Sequence, residues 1–318
     1  MGSYIIRRLL QALIVLVIVS ILVFLAMQLL PGDPLLIFVG QNRMLEYTEV
    51  ELNALRVQYG LDKSLPEQYI DWVTNIFRGD FGTSITYGDK VSTLIRERLP
   101  VTLYIGVFAF ILSSVFGVLA GVLAAVRRGK WLDSMMTFLA NIGITIPIFW
   151  LGILMIYFFG LKLDWLPIQG YTSPFTDFWL SIKKLIMPVI CLSVVSLASN
   201  TRQTRSSMLE VLHQDYVRTA WSKGLKEKDV IIRHTLKNSL IPIVTLAGMH
   251  IPIIFGGSVL IETVFNIPGM GRLMVNAVLA QDFAIVRTCF LLISAIVVFA
   301  NLLVDISYSW LDPRIRYS

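Results

Sequence analysis

Long apolar stretches alternate along the chain with shorter polar segments. Six of these stretches meet or approach the length of about 20 residues that a helix needs to cross the hydrocarbon layer of a membrane. They are Leu9–Leu30, Thr102–Val126, Met135–Leu161, Leu185–Arg205, Leu240–Phe265 and Ile285–Trp310. The pattern predicts an all-α integral membrane protein with six transmembrane helices.

The fourth stretch differs from the others because its second half is polar. Ser193, Ser196, Ser199, Asn200 and Thr201 follow one another closely there. Polar groups are costly in contact with lipid. We therefore expect this half of the helix, including Asn200, to face other helices or a water-filled path.

The longest polar segment, residues 31–101, lies between the first two stretches. Within it, Thr48 is placed to cap a short helix that runs through Tyr59, and a second short helix is predicted from Pro66 to Phe77. Helices this short must pack on other structure. The predicted organisation is a tail and first span in residues 1–30, an insertion in 31–101 and a five-helix core in 102–318.

Basic residues indicate the orientation in the membrane, because cytoplasmic loops are rich in Lys and Arg. They concentrate before the first stretch, between the second and third, between Arg202 and Lys237, and at the C-terminus. Residues 31–101 instead carry ten acidic against seven basic residues. The distribution predicts two cytoplasmic termini and an external insertion.

Composition supports a membrane protein and disfavours several other classes. Charged residues make up 15% of the chain, against about 25% in a typical soluble domain. The net charge of +6 lies in short loops, so it does not indicate nucleic-acid binding. Cys191 and Cys289 stand alone in apolar segments, which gives no disulfide framework.

Motifs of common catalytic sites are missing from the sequence. It has no GxxxxGK[ST] phosphate loop, no HExxH and no GxSxG. Its three histidines are far apart, without ligand spacing to a cysteine or carboxylate. We therefore expect no catalytic residue, no metal site and no cofactor in this chain. A channel is also possible for such a protein, but the sequence shows no repeat that resembles a selectivity filter.

The polar segment 206–239 has the clearest local signals. A short helix is predicted over Asp215–Lys223, where Gly224 suits the left-handed position after the last turn and Leu225 the apolar position that follows. A second helix is predicted over Glu227–Asn238, before Ile241-Pro242 opens the fifth span.

The apolar residues of the first helix suggest a contact with a partner protein. We expect Tyr216, Val217, Ala220 and Trp221 to be exposed and to form this contact together with Gly224 and Leu225. The alternative is a surface helix that only connects two spans.

This segment resembles the EAA loop of ABC-importer permeases. Ala220, Gly224 and Ile241-Pro242 match that pattern, whereas Arg218 replaces its glutamate and the gap to the proline is longer. Both departures are similar to the peptide/nickel branch, whose loops look like Asp-Tyr-x-Arg-Thr-Ala-x-x-Lys-Gly-Leu.

Further blocks of sequence resemble the "B" permease of the same branch. They are Pro31-Gly32-Asp33-Pro34, Gly60-Leu61-Asp62, Gly79-Asp80-Phe81-Gly82, Thr204-Arg205-Ser206-Ser207-Met208, Pro268-Gly269-Met270-Gly271-Arg272 and Asp312-Pro313-Arg314-Ile315-Arg316. Each block is weak alone, but all six occur in order and at matching positions relative to the spans.

The resemblance implies a type I ABC-importer fold in the plasma (inner) membrane of a prokaryote. It implies a permease that carries dipeptides or oligopeptides, or second to these glutathione or nickel complexes. It also implies a second permease as heterodimer partner, two cytoplasmic ATPase subunits and an external solute-binding protein. The alternative is a stand-alone ion-coupled secondary transporter, which predicts broken helices and charges near the membrane midplane.

Four polar residues are candidates for the translocation path or its gates. Glu262 lies near the outer end of the fifth span, where it either lines the path or pairs with a structural partner such as Arg272. His250 either packs in the core or contacts cargo. Arg202 either extends to the membrane surface or belongs to an inner gate. Asn200, on the polar half of the fourth span, is the remaining candidate.

Overall fold

The computed structural model describes residues 2–29, 35, 47–58 and 61–311. The predicted Pro31-Gly32-Asp33-Pro34 block and the C-terminal Asp312–Arg316 block lie outside these residues. Helix α1 covers Gly2–Gln28, the first predicted span. Two short helices follow, α2 over Glu49–Gln58 and α3 over Leu65–Phe77.

Both short helices begin at a capping box, in which side chains satisfy the first backbone N–H groups. Thr48 and Glu51 bond to each other's backbone N–H at the start of α2. Ser64 and Glu67 do the same for α3, which also has Pro66 in its first turn. The predicted positions of both helices are therefore confirmed to within a residue or two at each end.

Helix α4 spans Val91–Val126, so it begins 11 residues before the predicted second span, Thr102–Val126. Its first part belongs to the segment predicted to be the insertion. The chain before α4 is a turn-rich stretch with one isolated β-bridge, Thr83 to Lys90.

The third predicted span is not one straight helix. Helix α5 (Trp131–Thr145) and helix α6 (Ile148–Met155) meet at a bend of 105°, and α6 continues as a π-helix to Lys162. Pro147 favours the break, because proline disfavours the helical region for the residue before it. Ile146 accordingly has an extended backbone (φ −71°, ψ 127°).

Helix α7 (Phe178–Leu212) contains the fourth predicted span and extends past it at both ends. Its polar second half is packed inside the structure: Ser193, Ser196, Asn200 and Thr201 are all buried. The expectation that this half faces other helices is confirmed. Helix α8 (Asp215–Ser222) follows after a short turn.

The second helix predicted in segment 206–239 is not separate from the fifth span. A short helix α9 (Glu227–Asp229) passes through a π-helix (Val230–Leu236) into helix α10 (Lys237–Val264) without a break at Ile241-Pro242. Helix α11 (Met270–Leu279), which was not predicted from the sequence, precedes the last helix, α12 (Phe283–Leu311).

Five helices of the described chain are long and apolar enough to cross a membrane, and the bent pair α5–α6 makes a sixth if it counts as one span. The chain forms two compact units. The first comprises Met1–Arg8, Leu103–Ile267 and Ala300–Ser318, and the second Leu9–Thr102 and Pro268–Phe299.

Each unit has its own packing. In the first unit, α7 packs against α5, α6 and α10. In the second, Val91, Leu94 and Ile95 of α4 form a buried core with residues of α11 and α12, including Leu273 and Ile285.

Candidate functional site

Helix α8 ends as the sequence predicts. Gly224 has a left-handed backbone (φ +75°) and donates its N–H to the carbonyl of Trp221 at 2.9 Å. The N–H of Leu225 reaches back to the carbonyl of Ala220 at 3.4 Å. These two bonds form a Schellman motif, which satisfies the last carbonyls of the helix and turns the chain sharply.

The predicted exposure of Val217 and Ala220 is wrong. Val217 is 0% and Ala220 5% exposed, and both pack against Val230 at the start of the π-helix, with Val211 and Leu212 beside them. A helix of eight residues is not stable alone, so α8 is stabilised by packing these two side chains against its own chain. The cluster fixes α8 to the helix that continues into α10.

Three large apolar side chains of α8 and the turn after it remain outside that cluster: Tyr216, Trp221 and Leu225, at 44%, 45% and 39% exposure. At 3.6 residues per turn, Tyr216 and Trp221 lie on opposite sides of the buried pair, roughly 140° apart. The Tyr216 hydroxyl accepts a hydrogen bond from Asn238 Nδ2 at 3.0 Å. We call Tyr216, Trp221 and Leu225 the α8 surface.

The buried polar face of α7 meets two glycines of α4. A Cβ added to Gly117 would lie 2.7 Å from Asn200 Cβ, and one added to Gly121 would lie 2.5 Å from Thr204 Cβ. Small residues four apart allow membrane helices to approach this closely. Asn200 Nδ2 also donates to the carbonyl of Ser113 at 3.3 Å, so within this chain Asn200 joins α7 to α4.

The two arginines at the end of the polar half differ in their surroundings. Arg202 is exposed. Arg205 forms a bidentate ion pair with Asp133 of α5, with Nε–Oδ1 at 2.6 Å and Nη2–Oδ2 at 2.9 Å. Asp133, which is buried, also accepts the N–H of Gly129 at 3.0 Å. This pair was not predicted from the sequence, because its partners are 72 positions apart.

Glu262 and His250 are both buried in α10, at 0% and 4% exposure. They are 12 positions apart, which places them roughly 18 Å apart along the helix axis. His250 Nδ1 has no hydrogen-bond partner among the described residues. The structure therefore does not bring these two candidates into one site.

Comparisons with known proteins connect this geometry to a family. The family described as the binding-protein-dependent transport system inner membrane component matches residues 117–317, and its N-terminal companion matches residues 1–106. The chain belongs to this family. It is therefore the permease component of an ABC importer, as the EAA-like segment indicated.

Curated relatives match over the whole chain. One is a probable peptide ABC transporter permease of Sinorhizobium fredii, 43% identical, with both chains fully covered. A putative peptide transport system permease of Brucella abortus is 41% identical, and the oligopeptide transport system permease AppB of Bacillus subtilis is 38% identical, again with full coverage of both chains.

Solved structures are similar in fold. Two crystal forms of the inward-facing MetNI methionine ABC transporter give TM-scores of 0.56 and 0.57 at 17% and 18% identity, and each match covers 69% of this chain and 96% of the other. The likeness confirms the predicted fold of type I importer permeases. The family assignment also argues against the alternative considered above, a stand-alone secondary transporter.

Proposed function

We propose that this chain forms one half of the translocation path of an importer for dipeptides or oligopeptides. This class of cargo is supported by the match, along the entire chain, to relatives named as peptide and oligopeptide permeases. Glutathione and nickel complexes are second candidates, on the sequence resemblance alone.

The proposed assembly contains a second, related permease, two cytoplasmic ATPase subunits and an external solute-binding protein. The family description, which refers to binding-protein-dependent transport, supports the last of these. ATP hydrolysis is assigned to the ATPase subunits, since the sequence of this chain contains no phosphate loop.

In this assembly the α8 surface is the part that contacts an ATPase subunit. Trp221 and Leu225 supply exposed apolar area, which is typical of a protein contact. Val217, Ala220 and Gly224 act differently from the sequence prediction: they hold the shape of α8 rather than touch the partner. Val217 packs on Val230, so a displacement of α8 is passed to the helix that continues into α10.

The transport cycle then follows from a difference in contacts between two states. Closure of the ATPases on ATP moves the α8 helices of both permeases together and favours the outward-open path, because a ligand shifts a conformational equilibrium by its differential affinity. Glu262, His250, Asn200 and Arg202 remain the proposed path or gate residues.

The proposed orientation places both termini and α8 in the cytoplasm of a prokaryotic inner membrane. The concentration of Lys and Arg in the segments around Arg128, Arg218 and Arg233 supports it. The segment from α2 to the start of α4 is then external, where it is available to the solute-binding protein.

Reconstitution tests the proposed function. The chain is placed in proteoliposomes with its partner permease, ATPases and binding protein, and uptake of a labelled dipeptide and a labelled oligopeptide is measured. Uptake should need ATP and every partner, and the purified chain alone should not hydrolyse ATP. Uptake by this chain alone, driven by an ion gradient, would contradict the proposal.

A further inference from the structure

The side chain of Arg287, in the first turns of α12, is not used by the proposed transport mechanism. Its guanidinium carbon lies 4.9 Å from the centre of the Trp72 ring of α3. Its Nε is buried and has no hydrogen-bond partner among the described residues, and no ion pair found within them includes Arg287. A guanidinium has five N–H donors and keeps its charge, so among the described residues this cation has no anion beside it.

The position makes this charge unfavourable without a ligand, because a desolvated, unpaired charge is costly. The stacking on Trp72 offsets part of this cost and holds the planar guanidinium in place.

The surroundings of Arg287 lie where α3 is fixed to the C-terminal part of α1. Ser20 and Tyr69 share a hydrogen bond of 2.7 Å, Phe24 stacks on Trp72 with ring centres 5.9 Å apart, and Gln28 bonds to Gln68 at 3.1 Å. These contacts follow α1 to its last residue, so α3 lies at the depth where this helix leaves the membrane.

Helix α3 has the character of a helix that lies in the membrane surface. Helix α1 covers only part of the apolar face of α3. Tyr69 and Trp72 face α1, whereas Ile70 and Phe77 stay 60% and 86% exposed. Its opposite side carries Glu67, Asp71 and Asn75. Interfacial helices combine such faces, and tryptophan and tyrosine concentrate at headgroup depth.

We propose that Arg287, held on Trp72, binds the headgroup phosphate of an anionic phospholipid. Arginine pairs with phosphate through two parallel N–H···O bonds. A lipid is the occupant favoured by position, because only 11% of the most apolar part of α1 is buried by the rest of the chain. The site therefore adjoins a surface that faces lipid.

Lipid binding to the purified, delipidated transporter tests this inference without ATP or cargo, so that the result does not depend on the proposed import activity. Binding of phosphatidylglycerol and phosphatidylcholine is compared by native mass spectrometry and by thermal stability. The wild type should prefer phosphatidylglycerol. Arg287→Gln should lower its affinity for that lipid roughly tenfold or more, by the loss of charged hydrogen bonds.

Arg78→Gln is the matched control, because Arg78 is an exposed arginine at the end of α3. It should leave the lipid preference unchanged. An equal loss of phosphatidylglycerol affinity in both variants, or no preference for this lipid in the wild type, would overturn the inference. The wild-type lipid preference can be measured even if Arg287→Gln fails to assemble. Competition by millimolar inorganic phosphate alone would indicate a free-anion site, and an altered KM for peptide with unchanged lipid binding would indicate a cargo carboxylate; either result overturns it.

Discussion

Gly224 shows how one residue sets the geometry of the α8 surface. A Cβ at this position would meet no atom within 4 Å, so a side chain here is opposed by backbone strain and not by a clash. The left-handed conformation costs a non-glycine residue about 1–2 kcal/mol. Any effect of a substitution at Gly224 therefore reports on the direction in which the chain leaves α8.

Gly224→Val should weaken assembly with the ATPases or raise the ATP hydrolysed per peptide imported. The branched side chain disfavours the left-handed turn and so loosens the bonds that end α8. Gly224→Asn is the control, because asparagine tolerates this conformation, and it should be milder. The measurements are co-purification of the ATPases and the ratio of hydrolysis to uptake. If Gly224→Val equals the wild type in both, the ending of α8 has no part in coupling.

At the residue scale, the sequence predicts backbone features better than side-chain exposure. Gly224 and the cap at Thr48 follow from local rules, which act within four residues. The burial of Val217 and Ala220 depends on Val230, which comes from the next helix. For the same reason Ala220→Glu is a poor test of a partner contact: it would disrupt the chain's own packing first.

At the scale of elements, the main departures from the sequence analysis occur at breaks and continuities. Hydropathy identifies apolar length but not direction, so the 105° bend at Pro147 was missed although the proline itself is visible. Helix α11 was missed because its ten residues are too few for a span. Prolines inside α10, by contrast, leave the helix continuous through Pro242 and Pro252.

Packing of α4 on α7 is the element-scale feature most open to a direct test. Gly121→Val should lower the thermal stability of the purified chain, because its Cβ would lie 2.6 Å from the carbonyl oxygen of Thr201. Overpacking of this kind costs about 1–3 kcal/mol or more. Gly256→Ala in α10, where nothing lies within 4 Å of the new Cβ, is the control. Equal stability of both variants would show that α4 and α7 are not in close contact.

At the scale of the whole molecule, the sequence was sufficient for the class of fold and the family. The prediction used signals that extend over many residues: the apolar stretches, the six ordered sequence blocks and the EAA-like segment. The family match over residues 117–317 agrees with it. Path residues were less accessible to prediction. Glu262, His250 and Asn200 are polar and buried, but burial within one subunit does not distinguish a path from a helix contact.

The orientation of the whole chain in the membrane is tested by cysteine labelling. Asn75→Cys, on the polar side of α3, should react with an impermeant maleimide added from outside, and Gln214→Cys only after the membrane is opened. Both positions are exposed, and the native Cys191 and Cys289 are buried, so background labelling should be low. Reaction of both variants from the same side would refute the proposed topology.

In the proposed mechanism an ATPase subunit drives this permease through the α8 surface. The most direct measurement is a cross-link between Trp221→Cys and cysteines placed in the groove of the ATPase, with Trp131→Cys as an exposed control at the start of α5. We expect a strong cross-link at position 221 that blocks ATP-dependent uptake until it is reduced, and little cross-linking at position 131. Absence of a cross-link at 221 in a transport-competent complex, or a cross-link there that leaves uptake unaffected, would contradict this mechanism.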